Sequence, residues 1–157
     1  MTHPTTITAA PGLPFVDLVR EFDAPAEAVF RAHTEPELYA QWLGPRTMKL
    51  DSLELEATPG GRWRYAFRGG DSETQFSFHG VFHAVQPNQL LVQTFEFSLA
   101  PGQVGLDTTT FEEIDGRTRL SVHEVYPSVE ARDMAVASGM ESGITEGCER
   151  LDEILAR

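Results

Sequence analysis

The chain has a single cysteine, Cys148, in 157 residues. An intrachain disulfide is therefore excluded, and so is a zinc site built on thiolates. Such thiol usage suits a reducing compartment, and the cytoplasm is the expected location. Basic residues are scarce as well. Twelve Lys and Arg stand against 24 Asp and Glu, the formal net charge is −12, and Lys49 is the one lysine. Nucleic acids and anionic membrane surfaces both demand clustered cations, so neither is an expected partner. No stretch approaches the roughly 20 consecutive apolar residues of a membrane span. Residues 1–14 lack the basic start and apolar centre of a secretory signal.

What is present is enough for one soluble domain. A hydrophobic content of 41% over 157 residues can bury a core of its own. Residues 1–14, rich in Thr, Ala and Pro, are expected to form a flexible tail, and residues 15–157 the single domain. A strand is expected over Phe15 to Phe22, closed by Asp23-Ala24-Pro25. A short helix follows over Ala26 to Ala32, with Pro25 suited to its first turn. Thr34-Glu35-Pro36-Glu37 has capping-box spacing and opens a second short helix carrying Leu38, Tyr39 and Trp42. Gly44-Pro45 stops it.

Beyond Met48 the apolar period changes to two. Leu50, Leu53 and Leu55 mark a strand. Trp63, Tyr65 and Phe67 alternate with Arg62, Arg64 and Arg68, giving an aromatic face and a basic, outer face. Gly69-Gly70-Asp71 is read as a turn. Phe76, Phe78, Gly80 and Phe82 share one face of a long strand, with His79 and His83 on the other. Further strands are expected over Leu90 to Phe97, Val104 to Glu112 and Arg117 to Tyr126, the last two joined by a hairpin at Asp115-Gly116. Ser128 caps a helical stretch. Within it Met140, Ile144, Gly147, Cys148, Leu151, Ile154 and Leu155 fall inside about 120° of arc. Gly139 lies off that stripe and predicts a bend between a shorter helix and the last one. Short turns between consecutive strands make an antiparallel meander, and only the terminal helix is long enough to cover one face.

This order, with these residues, resembles the START-like superfamily of helix-grip folds, the birch-pollen-allergen-like architecture. It is most similar to the branch of the activator of the Hsp90 ATPase. Three stretches carry the resemblance: Arg20-Glu21-Phe22-Asp23-Ala24-Pro25 through Trp42-Leu43-Gly44-Pro45; Pro59-Gly60-Gly61-Arg62-Trp63; and Ser138-Gly139-Met140-Glu141-Ser142-Gly143 through Arg150-Leu151-Asp152. The resemblance implies an α+β fold. A curved antiparallel sheet of about seven strands would grip the last helix around a cavity, and the two short helices would close one end. It supplies no catalytic set. Leu43 stands where the branch usually has a second tryptophan, which opens space beside Trp42.

Two groups of residues are candidates for chemistry. Trp42, Trp63, Tyr65, Phe67, Phe78, Phe82 and Phe95, with Phe76 and Phe97, are either a plain core or the wall of an apolar pocket; Gly80, Gly143 and Gly147 favour a pocket, since absent side chains leave volume. Parity places Thr109 and Asp107 inward with Phe111, and Thr118, Glu124 and Tyr126 inward with Leu120 and Val122. An unpartnered buried carboxylate costs several kcal/mol and tends to protonate. Asp107 and Glu124 therefore sit either in water at an open end of the sheet or in a functional cavity. The histidines do not converge: His79 and His83 are about 13 Å apart on one strand. Neither a metal site nor a Cys148 triad is expected, and no cofactor.

The first functional expectation is binding of a small hydrophobic or amphipathic ligand, with Met140 and Ile144 completing the aromatic lining. The second is a cyclase- or hydratase-like enzyme using Glu124 or Asp107 as acid–base groups. The third is a chaperone-associated interaction module that works through its surface. A homodimer is compatible with the frequency of such assemblies.

Overall fold

The computed structural model describes residues 3–69 and 75–157. The turn expected at Gly70-Asp71 lies outside them. The elements run β1 (Thr6–Thr8), β2 (Phe15–Phe22), α1 (Ala26–Thr34), α2 (Pro36–Trp42), β3 (Lys49–Leu55), β4 (Arg62–Arg68), β5 (Gln75–Gln86), β6 (Leu90–Phe97), β7 (Gly105–Ile114), β8 (Arg117–Val125), α3 (Val129–Ala137) and α4 (Met140–Leu155). All strands pair antiparallel in one sheet of order β1-β2-β8-β7-β6-β5-β4-β3. This is the α+β helix-grip fold, with one more strand than expected.

The extra strand comes from the segment read as a tail. Thr6–Thr8 pairs with β2 from Val19 to Asp17. Buried cations explain why this polar segment is held. The Arg20 Nε donates to the Thr5 hydroxyl at 3.2 Å. Buried Arg132 of α3 donates to the Ala10 carbonyl at 3.0 Å and the Phe15 carbonyl at 3.3 Å. Guanidinium groups inside a protein need all their donors met, and the leading segment supplies acceptors that no side-chain pattern announces.

A second expectation also changes. Thr34 does not cap α2; it is the last residue of α1, and its hydroxyl donates back to the Phe30 carbonyl at 3.0 Å. Glu35 takes the N-cap position in extended backbone and offers no side-chain capping bond, its carboxylate being turned to Arg31. Pro36 as the first helical residue sets that boundary, because it disfavours helical backbone in the residue before it. Ser128 behaves as expected, its Oγ accepting from the Ala131 amide at 3.0 Å.

Gly139 has φ of 89°, the left-handed region, and separates α3 from α4. That conformation costs a side-chain-bearing residue roughly 1–2 kcal/mol, so glycine is the natural choice. The bend lets α4 turn its apolar stripe onto the sheet. Leu151 and Cys148 are buried there with Phe22, Val29, Phe30, Phe111 and Leu120. Among the described residues no helix is long and apolar enough to cross a membrane.

Candidate functional site

The inner face of the sheet and the two short helices leave a cavity of about 130 Å³. Its walls are His33 of α1, Tyr39 of α2, Leu55, Trp63, Phe82, Leu91, Gln93, Asp107, Thr109 and Val122. Strand alternation puts Asp107 and Thr109 there: they share the face of buried Phe111. On β8 the same alternation aligns Glu124 with Val122 and Leu120. Asp107 and Glu124 are direct partners across the β7–β8 ladder, so their carboxyls are neighbours on the inner face. Both residues are half-buried, and Asp107 lines the cavity whereas Glu124 does not.

The electrostatics follow from that placement. Burial raises the Asp107 pKa well above the usual carboxylate range, and the neighbouring Glu124 adds to the effect. Burial also raises Glu124, opposed by the hydrogen bond that Tyr126 donates to its Oε1 at 2.8 Å. The Tyr126 hydroxyl also lies 3.7 Å from the Met140 sulfur. Tyr39 and Tyr65 are raised by burial first, with Asp107 contributing to both. Asp107 Oδ1 is buried and has no hydrogen-bond partner among the described residues. Such orphans are rare in native interiors.

His33 was not singled out from the sequence. Its Nδ1 lies 2.8 Å from the Val29 carbonyl. A carbonyl only accepts, so Nδ1 carries the proton and Nε2 is left as an acceptor. Desolvation lowers its pKa from 6.5 to about 4, so the ring is neutral at pH 7. It packs between Trp42 at 4.8 Å and Phe111 at 5.3 Å between ring centroids. The signal was legible: His33 is four residues after Val29, on the buried stripe of α1. Gln93 was similarly visible from its parity with Leu91 and Phe95.

Of the residues expected to bind ligand, Trp63, Phe82 and Thr109 line the cavity together with Asp107. Trp42 lies behind His33, its indole donating to the Ala32 carbonyl at 2.9 Å. Tyr65 stacks on Trp63 at 5.3 Å, and both Phe67 and Phe78 lie 5.4 Å from the Tyr65 ring. Phe95 meets Tyr126 edge-on at 5.3 Å. Met140 reaches the Tyr126 hydroxyl, and Ile144 packs against the core cluster. Trp63, Tyr65, Phe67 and Phe78 thus form a connected set of rings, while the cavity lies under α1 and α2 and has no α4 residue in its lining.

The glycines thought to leave volume do not line it. A Cβ on Gly80 would lie 1.9 Å from the Thr94 carbonyl oxygen and 2.7 Å from Trp63 Nε1. The Trp63 indole crosses that space to donate to Thr94 O at 3.1 Å. Gly147 faces the end of α2, 3.5 Å from the Trp42 carbonyl at its would-be Cβ. Gly143 would meet only Pro45, at 3.8 Å. The Cys148 thiol is buried and its pKa raised by desolvation, which makes it unreactive. His79, His83 and His123 are exposed on the outer face. Among the described residues no three His, Cys, Asp or Glu side chains converge to hold a metal ion.

The three stretches that suggested the fold prove to be its fasteners. Arg20, 1% exposed, pairs with Asp152 of α4 through both guanidinium amino groups. Arg150 donates to the Gln41, Leu43 and Gly44 carbonyls at 2.8 to 3.1 Å, capping the end of α2. At the β3–β4 turn, Gly60 N donates to Phe82 O at 2.8 Å and Phe82 N to Gly61 O at 2.9 Å. These contacts hold sheet, α2 and α4 in register around the cavity.

Comparison with known proteins agrees with this architecture. The sequence model for activator of Hsp90 ATPase homolog 1-like proteins matches residues 23–156. No curated protein is significantly similar in sequence. Among solved structures, a Rhodobacter sphaeroides protein superposes with a TM-score of 0.88 at 25% identity, over 98% of this chain and 99% of that one. Protein Ms6760 of Mycobacterium smegmatis gives 0.86 at 23% identity, with 97% of each chain covered. The AHSA1 protein of Silicibacter pomeroyi gives 0.75 at 23%, over 90% of this chain and 97% of its own. With the family model spanning most of its length, this chain belongs to the activator of Hsp90 ATPase homolog 1-like family.

Proposed function

We propose that this chain binds a small amphipathic molecule in the cavity beneath α1 and α2. The observation that carries this reading is a mismatch between lining and bonding. Tyr39, Gln93 and Thr109 line the cavity, and among the described residues their side chains make no hydrogen bond. His33 spends one ring nitrogen and keeps the other. Among the described residues Asp107 Oδ1 is the one buried polar side-chain atom without a partner, so the polar atoms of Tyr39, Gln93 and Thr109 are open to whatever enters, and a concave apolar wall with a few converging polar groups is the usual form of a ligand site. The volume of about 130 Å³ approaches the roughly 150 Å³ of an apolar cavity that admits benzene. The ligand, or the part of it that enters, is therefore about the size of one ring.

A second reading rests on Asp107 and His33 facing the same cavity. A carboxyl inclined to hold its proton and a neutral imidazole could exchange protons with a bound molecule. The family description supplies a third, an Hsp90-type chaperone as partner, acting through the outer surface.

Native mass spectrometry of protein purified without denaturation tests the first reading. A retained small molecule, or a rise in melting temperature with ring-sized compounds, is expected. A clean apo mass with no thermal shift across a broad library would refute it and leave the surface reading standing.

A further inference from the structure

We infer that the cavity selects an uncharged, ring-sized molecule bearing a hydroxyl group, seated with that hydroxyl on the Asp107 carboxyl, and that it rejects anions. This rests on the ligand-binding reading above and narrows it.

The argument begins with what the lining lacks. None of the lining residues is Arg or Lys. His33 is neutral and its remaining nitrogen accepts. A carboxylate or phosphate entering here would lose its hydration and find no cation, while Asp107 and Glu124 stand beside it. An ion buried without a partner is strongly disfavoured. Many small amphipathic molecules are acids, so this excludes a large class.

The orphan oxygen supplies the positive half. Asp107 Oδ1 is buried, lacks a partner, and belongs to a residue of the cavity wall. Its neighbour Glu124 is already engaged by Tyr126. Among the described residues Asp107 Oδ2 makes no hydrogen bond and is not enclosed as Oδ1 is, so it is the oxygen a ligand can reach. A hydroxyl is the group that fits a carboxyl in either protonation state, since it both donates and accepts. Thr109, one pleat along β7 on the same face, stands ready as a second partner. A cation would require Asp107 to ionise next to Glu124 inside a wall of rings, which the lining opposes.

The remaining wall fixes the body of the ligand. Trp63 and Phe82 contribute aromatic rings to that wall, and Leu55, Leu91 and Val122 contribute aliphatic side chains. A flat ring of benzene size matches both the volume and this chemistry.

Four probes of one size separate the possibilities: phenol, toluene, benzoate and benzylamine. Each is titrated into the full ¹⁵N-labelled chain at pH 7, following the Trp63 indole and Leu91 amide resonances. Phenol is expected to bind about tenfold more tightly than toluene, the worth of one hydrogen bond, and benzoate is expected to cause no shift. Toluene equal to phenol, or benzoate or benzylamine binding best, would overturn this inference while leaving ligand binding intact. No shift from any of the four would sink the ligand-binding reading itself. In Asp107→Leu the phenol preference over toluene should vanish, and in Asp107→Asn it should survive. A preference that persists in Asp107→Leu refutes the seat on Asp107; the amide spectrum reports whether each variant is folded, and Thr109→Val is the second probe of the same contact.

Discussion

Acidification should destabilise this protein through one residue, His33, by an amount its surroundings fix. The folded ring holds its proton only below about pH 4, whereas an unfolded histidine does so below 6.5. The unfolded chain therefore binds the extra proton first as the pH falls. Stability is untouched by this group above about pH 7 and declines as the pH drops through the window from 6.5 to about 4. At about 1.4 kcal/mol per pH unit the full loss is roughly 3 kcal/mol, a large part of the 5–15 kcal/mol that holds a typical domain together. His33→Phe removes the titration and keeps a ring between Trp42 and Phe111. His33→Gln removes it and keeps a donor for the Val29 carbonyl. Urea unfolding of wild type and both variants, followed by tryptophan fluorescence from pH 7.5 to 4, gives the difference curve in which other groups cancel. Wild type should lose about 3 kcal/mol relative to either variant across that range. A flat difference curve, or a His33 ring resonance in the folded protein titrating near 6.5, would refute the assignment of His33 as a desolvated neutral imidazole.

Breaking the Arg20–Asp152 pair should be costly from either side. Asp152→Asn leaves a guanidinium that is 1% exposed without its anion, and a loss near 3 kcal/mol is expected in chemical denaturation. The double variant Arg20→Met/Asp152→Leu should recover much of it; a double variant as damaged as the sum of the singles would argue that the pair acts through something other than charge burial. Two glycines should answer in opposite directions. Gly80→Ala forces a methyl against the Thr94 carbonyl and the Trp63 indole, and a loss of about 1–3 kcal/mol or more is expected. Gly147→Ala meets only contacts of 3.5 Å or longer, so the helix propensity gain of about 1 kcal/mol should appear as a higher melting temperature.

Much of the fold was written in local pattern. Period-two alternation placed Asp107 and Thr109 with Phe111, and Glu124 with Val122, on the inner face, because each residue of a strand reverses the side its neighbour takes. The capping serine and Gly139 divided the last helical stretch in two, because both act within a turn of the chain. Thr34 misled for the same local reason: a spacing that fits a capping box gave way to the backbone preference that Pro36 imposes on Glu35.

What only the tertiary structure decided was which inner-facing residues meet. Parity could not tell that Asp107 and Glu124 are register partners, since one residue of slippage between strands would separate them. Nor could composition reveal that the space of an absent side chain at Gly80 is taken by the indole of Trp63, seventeen residues away in sequence. The cavity itself depends on how α1 and α2 are docked, and that is set by Trp42 between the two helices and by Arg150 and Gly44 across long sequence separations. The sequence determined a helix-grip sheet with polar residues turned inward, because alternation and capping are local rules. The position, size and polarity of the site were decided by packing, because a void is the joint property of elements far apart in the chain.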